Sequence, residues 1–208
     1  METHVFFECG GLMLEGLYEA PEKSDSDGKP ARGVVITHPH PLYGGDMYNP
    51  VVRTISSVFL NKGYHALRFN FRGVGASEGG FDNGRGEKDD ALSAYAFLSE
   101  KGVKHIDFAG YSFGTRVIAD ISAVSYPDSG LYFVSPPVEF MDFSGVARLP
   151  HLKLVVLGSG DEFGSPAAVK KYIEKWNQNA SFAMINGADH FYGMYIRDLK
   201  SALSERIS

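Results

Sequence analysis

Five apolar runs recur along the chain and are interleaved with stretches of helical length. The runs are GVVITH (33–38), YHALRFN (64–70), HIDFAG (105–110), GLYFVS (130–135) and LKLVVLG (152–158); segments 47–62, 85–101, 113–124 and 165–176 have the length of helices. Strands that alternate with helices pair through crossover connections, so the pattern predicts an α/β fold with a largely parallel sheet covered on both faces. A further strand, SFAMIN (181–186), and a helix over 191–206 follow. The first 20 residues read as two strands joined at Gly10-Gly11, and PEKSDSDGKP (21–30) as a polar loop bounded by prolines. HIDFAG is an imperfect central strand, because His105 and Asp107 interrupt it, and Asp107 needs a partner if buried. No repeat or linker divides the sequence, so residues 1–208 are expected to form one domain, long enough to bury about 70% of the surface of its unfolded chain.

GYSFG (110–114) lies at the junction of a strand and a helix, the context in which G-x-S-x-G forms a nucleophile elbow. The serine stands there on a sharp, strained turn, and small residues two before and two after let neighbouring backbone approach. Such a turn projects Ser112 Oγ above the sheet and aims the Phe113 N–H beside it. A serine hydroxyl attacks a carbonyl only when a base takes its proton, and the base needs an acid to fix its tautomer. In this architecture acid and histidine follow the serine in that order. GSGDEF (158–163) follows one strand and GADHFY (187–192) another, which makes Asp161 the acid and His190 the base. Glu162 is the alternative acid, one residue further from the strand end. Asp189 is adjacent to the histidine, where side chains diverge, and reads as a turn residue.

THPHPLYGGD (37–46) raises a separate question, since histidines two apart at a strand end can ligate a metal. No convergent third ligand is evident beyond Asp46, so no metal is expected. Proline removes backbone N–H groups at positions 39 and 41, which leaves His40 and Leu42 as early donors in this loop. FRGVGASEGG (71–80) has the start of a dinucleotide-binding glycine pattern, but Glu78 occupies the third glycine position and the segment continues as loop. No cofactor is expected.

Net charge −5 and a pI of 5.8 give no broad cationic surface, so nucleic acid is not an expected partner. The single cysteine, Cys9, forms no intramolecular disulfide and reads as a small buried hydrophobe. The N-terminal segment carries Glu2, Glu8 and Glu15 without a basic region, and no uncharged apolar run reaches membrane-spanning length. A cytoplasmic protein without a membrane partner is the expectation.

In the order HPHPLYGGDM, RFNFRGVGASEGGFDNGRGE, GYSFG, GSGDEF and GADHFY, the chain resembles the α/β-hydrolase superfamily over almost its whole length. The likeness is to small, lidless bacterial carboxylesterase-like members, distantly related to dienelactone hydrolases. It implies an eight-stranded, mostly parallel sheet, a Ser112/Asp161/His190 triad, and an oxyanion hole of the Phe113 N–H with that of His40 or Leu42. Dienelactone hydrolases carry cysteine where this chain has Ser112. The implied activity is cleavage of small, short-acyl esters; a peptidase or thioesterase using the same triad, or a catalytically silent binding module, are the alternatives. Tyr43, Tyr111, Phe163 and Phe191 neighbour the motif residues in sequence and are candidates for an apolar substrate pocket. Arg72 reads as an internal hydrogen-bonding residue. Only PPVEFMDFSGVARLPH separates GLYFVS from LKLVVLG, too little for a cap domain.

Overall fold

A computed structural model describes residues 2–22, 30–122, 129–146 and 148–208. Most of the 21–30 loop and the end of the 113–124 helix lie outside the described residues. Strands β1 (Glu2–Cys9), β2 (Leu12–Glu19), β3 (Arg32–Thr37), β4 (His65–Phe69), β5 (His105–Tyr111), β6 (Leu131–Val134), β7 (Leu152–Gly158) and β8 (Ser181–Ile185) form one sheet in the order β1-β2-β4-β3-β5-β6-β7-β8. β1 and β2 pair antiparallel, as do β2 and β4, while every pairing from β4 through β8 is parallel.

Both faces of the inner parallel strands β3 to β7 are largely buried, which is why they read as near-continuous apolar runs rather than as alternations, whereas the edge strand β8 leaves Ser181 and Met184 exposed. Val35, Phe108, Phe133 and Val155 pack with Leu98, Ile118 and Trp176 of helices α2 (Arg85–Glu100), α3 (Phe113–Ser122) and α4 (Pro166–Trp176). Val34, Ile36, Ala109 and Val156 pack on the other face with Val52, Phe59 and Leu203 of α1 (Pro50–Asn61) and α5 (Ile196–Ser204). Alternate residues of each strand thus serve opposite layers. Proline at the first position and Asn49 as cap start α1, later than the expected 47–62; the Asn49 side chain accepts the Val51 N–H. The expected helix 191–206 begins only at Ile196 because Tyr192, at φ 56°, turns the chain first.

Asp107 has the partners its burial requires. Its carboxylate accepts the Gly130 N–H at 2.7 Å, with Arg32 and Tyr64 beside it. Burial pushes its pKa up. Among the described residues no helix is long and apolar enough to cross a membrane.

The sheet order reverses at β3, with β4 on one side and β5 on the other. The loops leaving the carboxyl ends of β3 and β5 therefore diverge, and a crevice opens between them.

Candidate active site

Ser112 sits between β5 and α3 at φ 53°, one of four non-glycine residues with positive φ among those described. The neighbours explain why the turn needs small residues. A Cβ on Gly110 would lie 2.7 Å from the Gly114 carbonyl carbon, and one on Gly114 would lie 2.5 Å from Thr37 Oγ1. Ser112 is fixed from both sides: its N–H donates to Val134 O at 3.0 Å, and its carbonyl accepts the Thr115 N–H at 2.9 Å. Phe113 opens α3, so its N–H has no acceptor within the helix and stays available beside the serine.

Asp161 leaves the end of β7 and His190 the turn after β8, both 5% exposed. His190 Nε2 lies 2.9 Å from Ser112 Oγ, and Nδ1 lies 2.9 Å from each carboxylate oxygen of Asp161. An ionised carboxylate only accepts, so Nδ1 carries the proton and Nε2 is free to accept from the serine hydroxyl. The Phe163 N–H donates to Asp161 Oδ1 at 3.0 Å and holds the carboxylate. Glu162, the alternative acid, points to solvent. Asp189 is a turn residue as expected: Oδ1 accepts the N–H groups of Phe191 and Tyr192. A contact that was not read from the sequence joins the two loops. A Cβ on Gly158 would lie 2.3 Å from Ala188 O, and the Gly160 N–H donates to the same carbonyl at 2.9 Å. The glycines of GSGD are the signal, since they allow the acid loop to touch the histidine loop.

The HPHP loop divides its two histidines between different tasks. His38 is fully buried; its Nε2 accepts the Phe71 N–H at 3.0 Å and its Nδ1 lies 2.6 Å from Pro39 O. Both ring nitrogens are occupied, and burial pulls its pKa down to about 4. His38 is thus a neutral structural histidine, and no cluster of metal-ligating side chains occurs among the described residues. His40 caps the short 3-10 turn Pro41–Tyr43, and its carbonyl accepts the N–H groups of Tyr43 and Gly45. Its own N–H has no hydrogen-bond partner among the described residues. Leu42, the other candidate donor, is engaged within the loop. Its N–H donates to His40 Nδ1 at 3.2 Å and its side chain is 67% exposed, away from the cavity beside Ser112. Of the two candidate donors, only the His40 N–H is thus left without a partner among the described residues.

No family model matches the chain. It is 30% identical to an α/β serine hydrolase homologue from Coxiella burnetii, whose structure superposes with a TM-score of 0.88 over 99% of this chain and 97% of that one. A lidless α/β serine hydrolase from Xanthomonas campestris gives the same TM-score at 28% identity, over 99% and 93% of the two chains. An uncharacterized protein of Rickettsia prowazekii is 33% identical over 97% of this chain and 87% of its own length. The chain belongs to the α/β-hydrolase superfamily.

In this α/β hydrolase a cavity of about 530 Å³ opens beside Ser112, within the range of small-molecule sites. Tyr43, Tyr111, Phe163 and Phe191 all line it, as does His40. They divide into floor and rim: Tyr111 is 2% exposed, whereas Tyr43 is 74% and Phe191 64% exposed. Phe140 and Met141, from the connection between β6 and β7, also line the cavity and were not singled out in the sequence. Their aromatic and apolar character just beyond a strand end is the available signal. Phe140 bridges the rim, with ring centroids 6.3 Å from Tyr43 and 5.3 Å from Phe163. Among the described residues, no Asp, Glu, Lys or Arg lines the wall. Arg72 is internal to the hydrolase scaffold, as expected, paired with the buried Asp90 at 2.7 Å.

Proposed function

We propose that this chain is a serine hydrolase that cleaves small, uncharged carboxylic esters through an acyl-enzyme without a metal ion. The observation that carries the reading is the unbroken chain from Ser112 Oγ through His190 to Asp161 on a strained elbow. Ser112 Oγ attacks the ester carbonyl carbon as its proton passes to His190 Nε2. The carbonyl electron pair moves onto oxygen, and the N–H groups of Phe113 and His40 stabilise the resulting oxyanion. Collapse re-forms the carbonyl and breaks the bond to the alkoxy oxygen, which takes the proton from His190. Water then attacks the acyl-serine by the same route, with His190 accepting its proton and returning one to Ser112. Asp161 remains ionised throughout and stabilises the imidazolium.

The uncharged, ring-lined wall supports an apolar acyl group, and its exposed rim supports a short one. A panel of p-nitrophenyl esters, an acyl thioester and a peptide anilide tests the reading. Turnover of the esters, with kcat/KM highest in that class, is expected. Absence of ester turnover in folded protein, or a preference for the anilide, would refute it.

A further inference from the structure

His190 is carried by the sheet's edge strand. β8 ends the order β5-β6-β7-β8, three positions from the strand that leads into Ser112. At about 4.8 Å per strand the two backbones start roughly 14 Å apart, yet Nε2 and Oγ meet at 2.9 Å. The histidine loop is largely exposed at Gly187, Asp189, Phe191, Gly193 and Met194. Something must hold it in register.

Two buried phenol hydroxyls are directed to that task. Tyr111, the residue before Ser112, donates its hydroxyl to the His190 carbonyl at 2.9 Å. Tyr192, two residues after His190, shares a 2.9 Å hydrogen bond with Ser135 Oγ. Ser135 follows Val134, whose carbonyl accepts the Ser112 N–H. Both connections therefore return to the immediate neighbourhood of Ser112, one along β5 and one along β6. Tyr192 and Ser135 both adopt positive φ, at 56° and 48°, and both are fully buried. Such conformations persist in non-glycine residues only where their surroundings over-determine them, and they cluster at functional sites. Phenylalanine would fill the same space without a polar group to satisfy, and a buried hydroxyl is unfavourable unless hydrogen-bonded. Burial raises the pKa of both phenols, so they remain neutral.

We propose that the Tyr111 and Tyr192 hydroxyls are positioning groups that pin the His190 loop to β5 and β6 and so fix Nε2 at reacting distance from Ser112. The kinetic part rests on His190 being the base; the geometric part does not.

Tyr111→Phe, Tyr192→Phe and Ser135→Ala test it, read by thermal midpoint, by kcat and KM for p-nitrophenyl acetate, and by the downfield proton NMR signal of His190 Nδ1–H. Each tyrosine variant is expected to lower kcat about five- to tenfold with KM within about twofold, since small displacements of a reacting group carry such losses. Ser135→Ala should lower kcat no more than Tyr192→Phe, which also removes the hydroxyl's contact with the Gly158 backbone, and combining the two should add little to Tyr192→Phe alone because both remove the Ser135–Tyr192 bond. The Nδ1–H signal should broaden in both tyrosine variants, and this readout holds even in protein that turns over no ester. It thereby separates failure of the pins from failure of the ester reading. A sharp, unshifted signal in both variants overturns the proposal. So does a lowered thermal midpoint with unchanged kcat, or a rise in KM equal to the fall in kcat.

Discussion

Asp161 rather than Glu162 holds the His190 imidazole, so the two neighbouring acids should differ sharply on substitution. Asp161→Asn should lower kcat by about 10⁴, because the amide no longer fixes the Nδ1–H tautomer, whereas Glu162→Gln should leave kcat within about twofold, the result expected of an exposed side chain away from the chemistry. Steady-state kinetics on a p-nitrophenyl ester distinguishes them. Along the HPHP loop, His40→Pro removes the unpartnered N–H and should lower kcat about 100-fold or more. Leu42→Pro removes only a turn-capping bond to His40 Nδ1 and should be much milder in the same assay. His38 gives a stability prediction with a definite sign. Unfolded, it gains a proton near 6.5; buried and neutral, it does so only at about 4. Between those values the unfolded chain binds more protons, so this residue's contribution to stability falls as pH drops from 6.5 toward 4, by at most ~1.4 kcal/mol per pH unit. Urea unfolding at about pH 7 and pH 5 should show a flatter dependence in His38→Asn, which keeps a donor and an acceptor but does not titrate. Ser112, Asp161 and His190 were legible because their order along the chain and their places after strands are local facts. The partners of Leu42, Tyr111 and Tyr192 were not, because a hydrogen bond between residues 111 and 190 has no sequence periodicity.

Among the secondary-structure elements, the elbow between β5 and α3 is the most tightly constrained junction. Gly110 is there because backbone, not a movable side-chain end, fills the space a Cβ would need, and Gly114 because Thr37 fills it with both its Oγ1 and its carbonyl oxygen. Gly110→Ala should destabilise the protein by about 1–3 kcal/mol as overpacking does, lowering the thermal midpoint by about 2–4 °C per kcal/mol in a chain of this size. Gly145→Ala, where a Cβ meets nothing within 4 Å, should change it little. Differential scanning calorimetry of the two variants makes the comparison. Strands with both faces buried announced themselves as apolar runs, and the alternation of Val34 and Ile36 with Val35 between layers follows from their pleat. Helix ends were less legible. The start of α1 depended on Asn49 and Pro50 acting as cap and first turn, and the start of α5 on Tyr192 leaving helical geometry, which its side-chain type does not signal.

At the scale of the molecule, the connection between β6 and β7 contributes Phe140 and Met141 to the cavity wall but builds no cap domain. The exposed Tyr43, Phe140 and Phe191 therefore form an open mouth rather than a covered tunnel. Each acyl methylene that remains in water forgoes about 0.8 kcal/mol of burial. The gain in kcat/KM from p-nitrophenyl acetate upward should level off after a few carbons, without a jump when longer esters aggregate; a continuing rise to palmitate would contradict the open-mouth reading. The parallel sheet and its helical layers were legible from alternation alone. The aromatic rim was legible only in part, since Tyr43, Phe163 and Phe191 adjoin motif residues whereas Phe140 reaches the site through the fold.

The central claim is that Ser112 is the nucleophile of an ester-cleaving triad, and its most direct test is covalent. Folded protein treated with a fluorophosphonate should gain the mass of one adduct, mapped by peptide sequencing to Ser112, with loss of p-nitrophenyl acetate turnover in proportion to labelling. Ser112→Ala should take up no label and lose kcat by on the order of 10⁴ or more. An adduct on a different residue, or undiminished turnover in Ser112→Ala, would contradict the assignment.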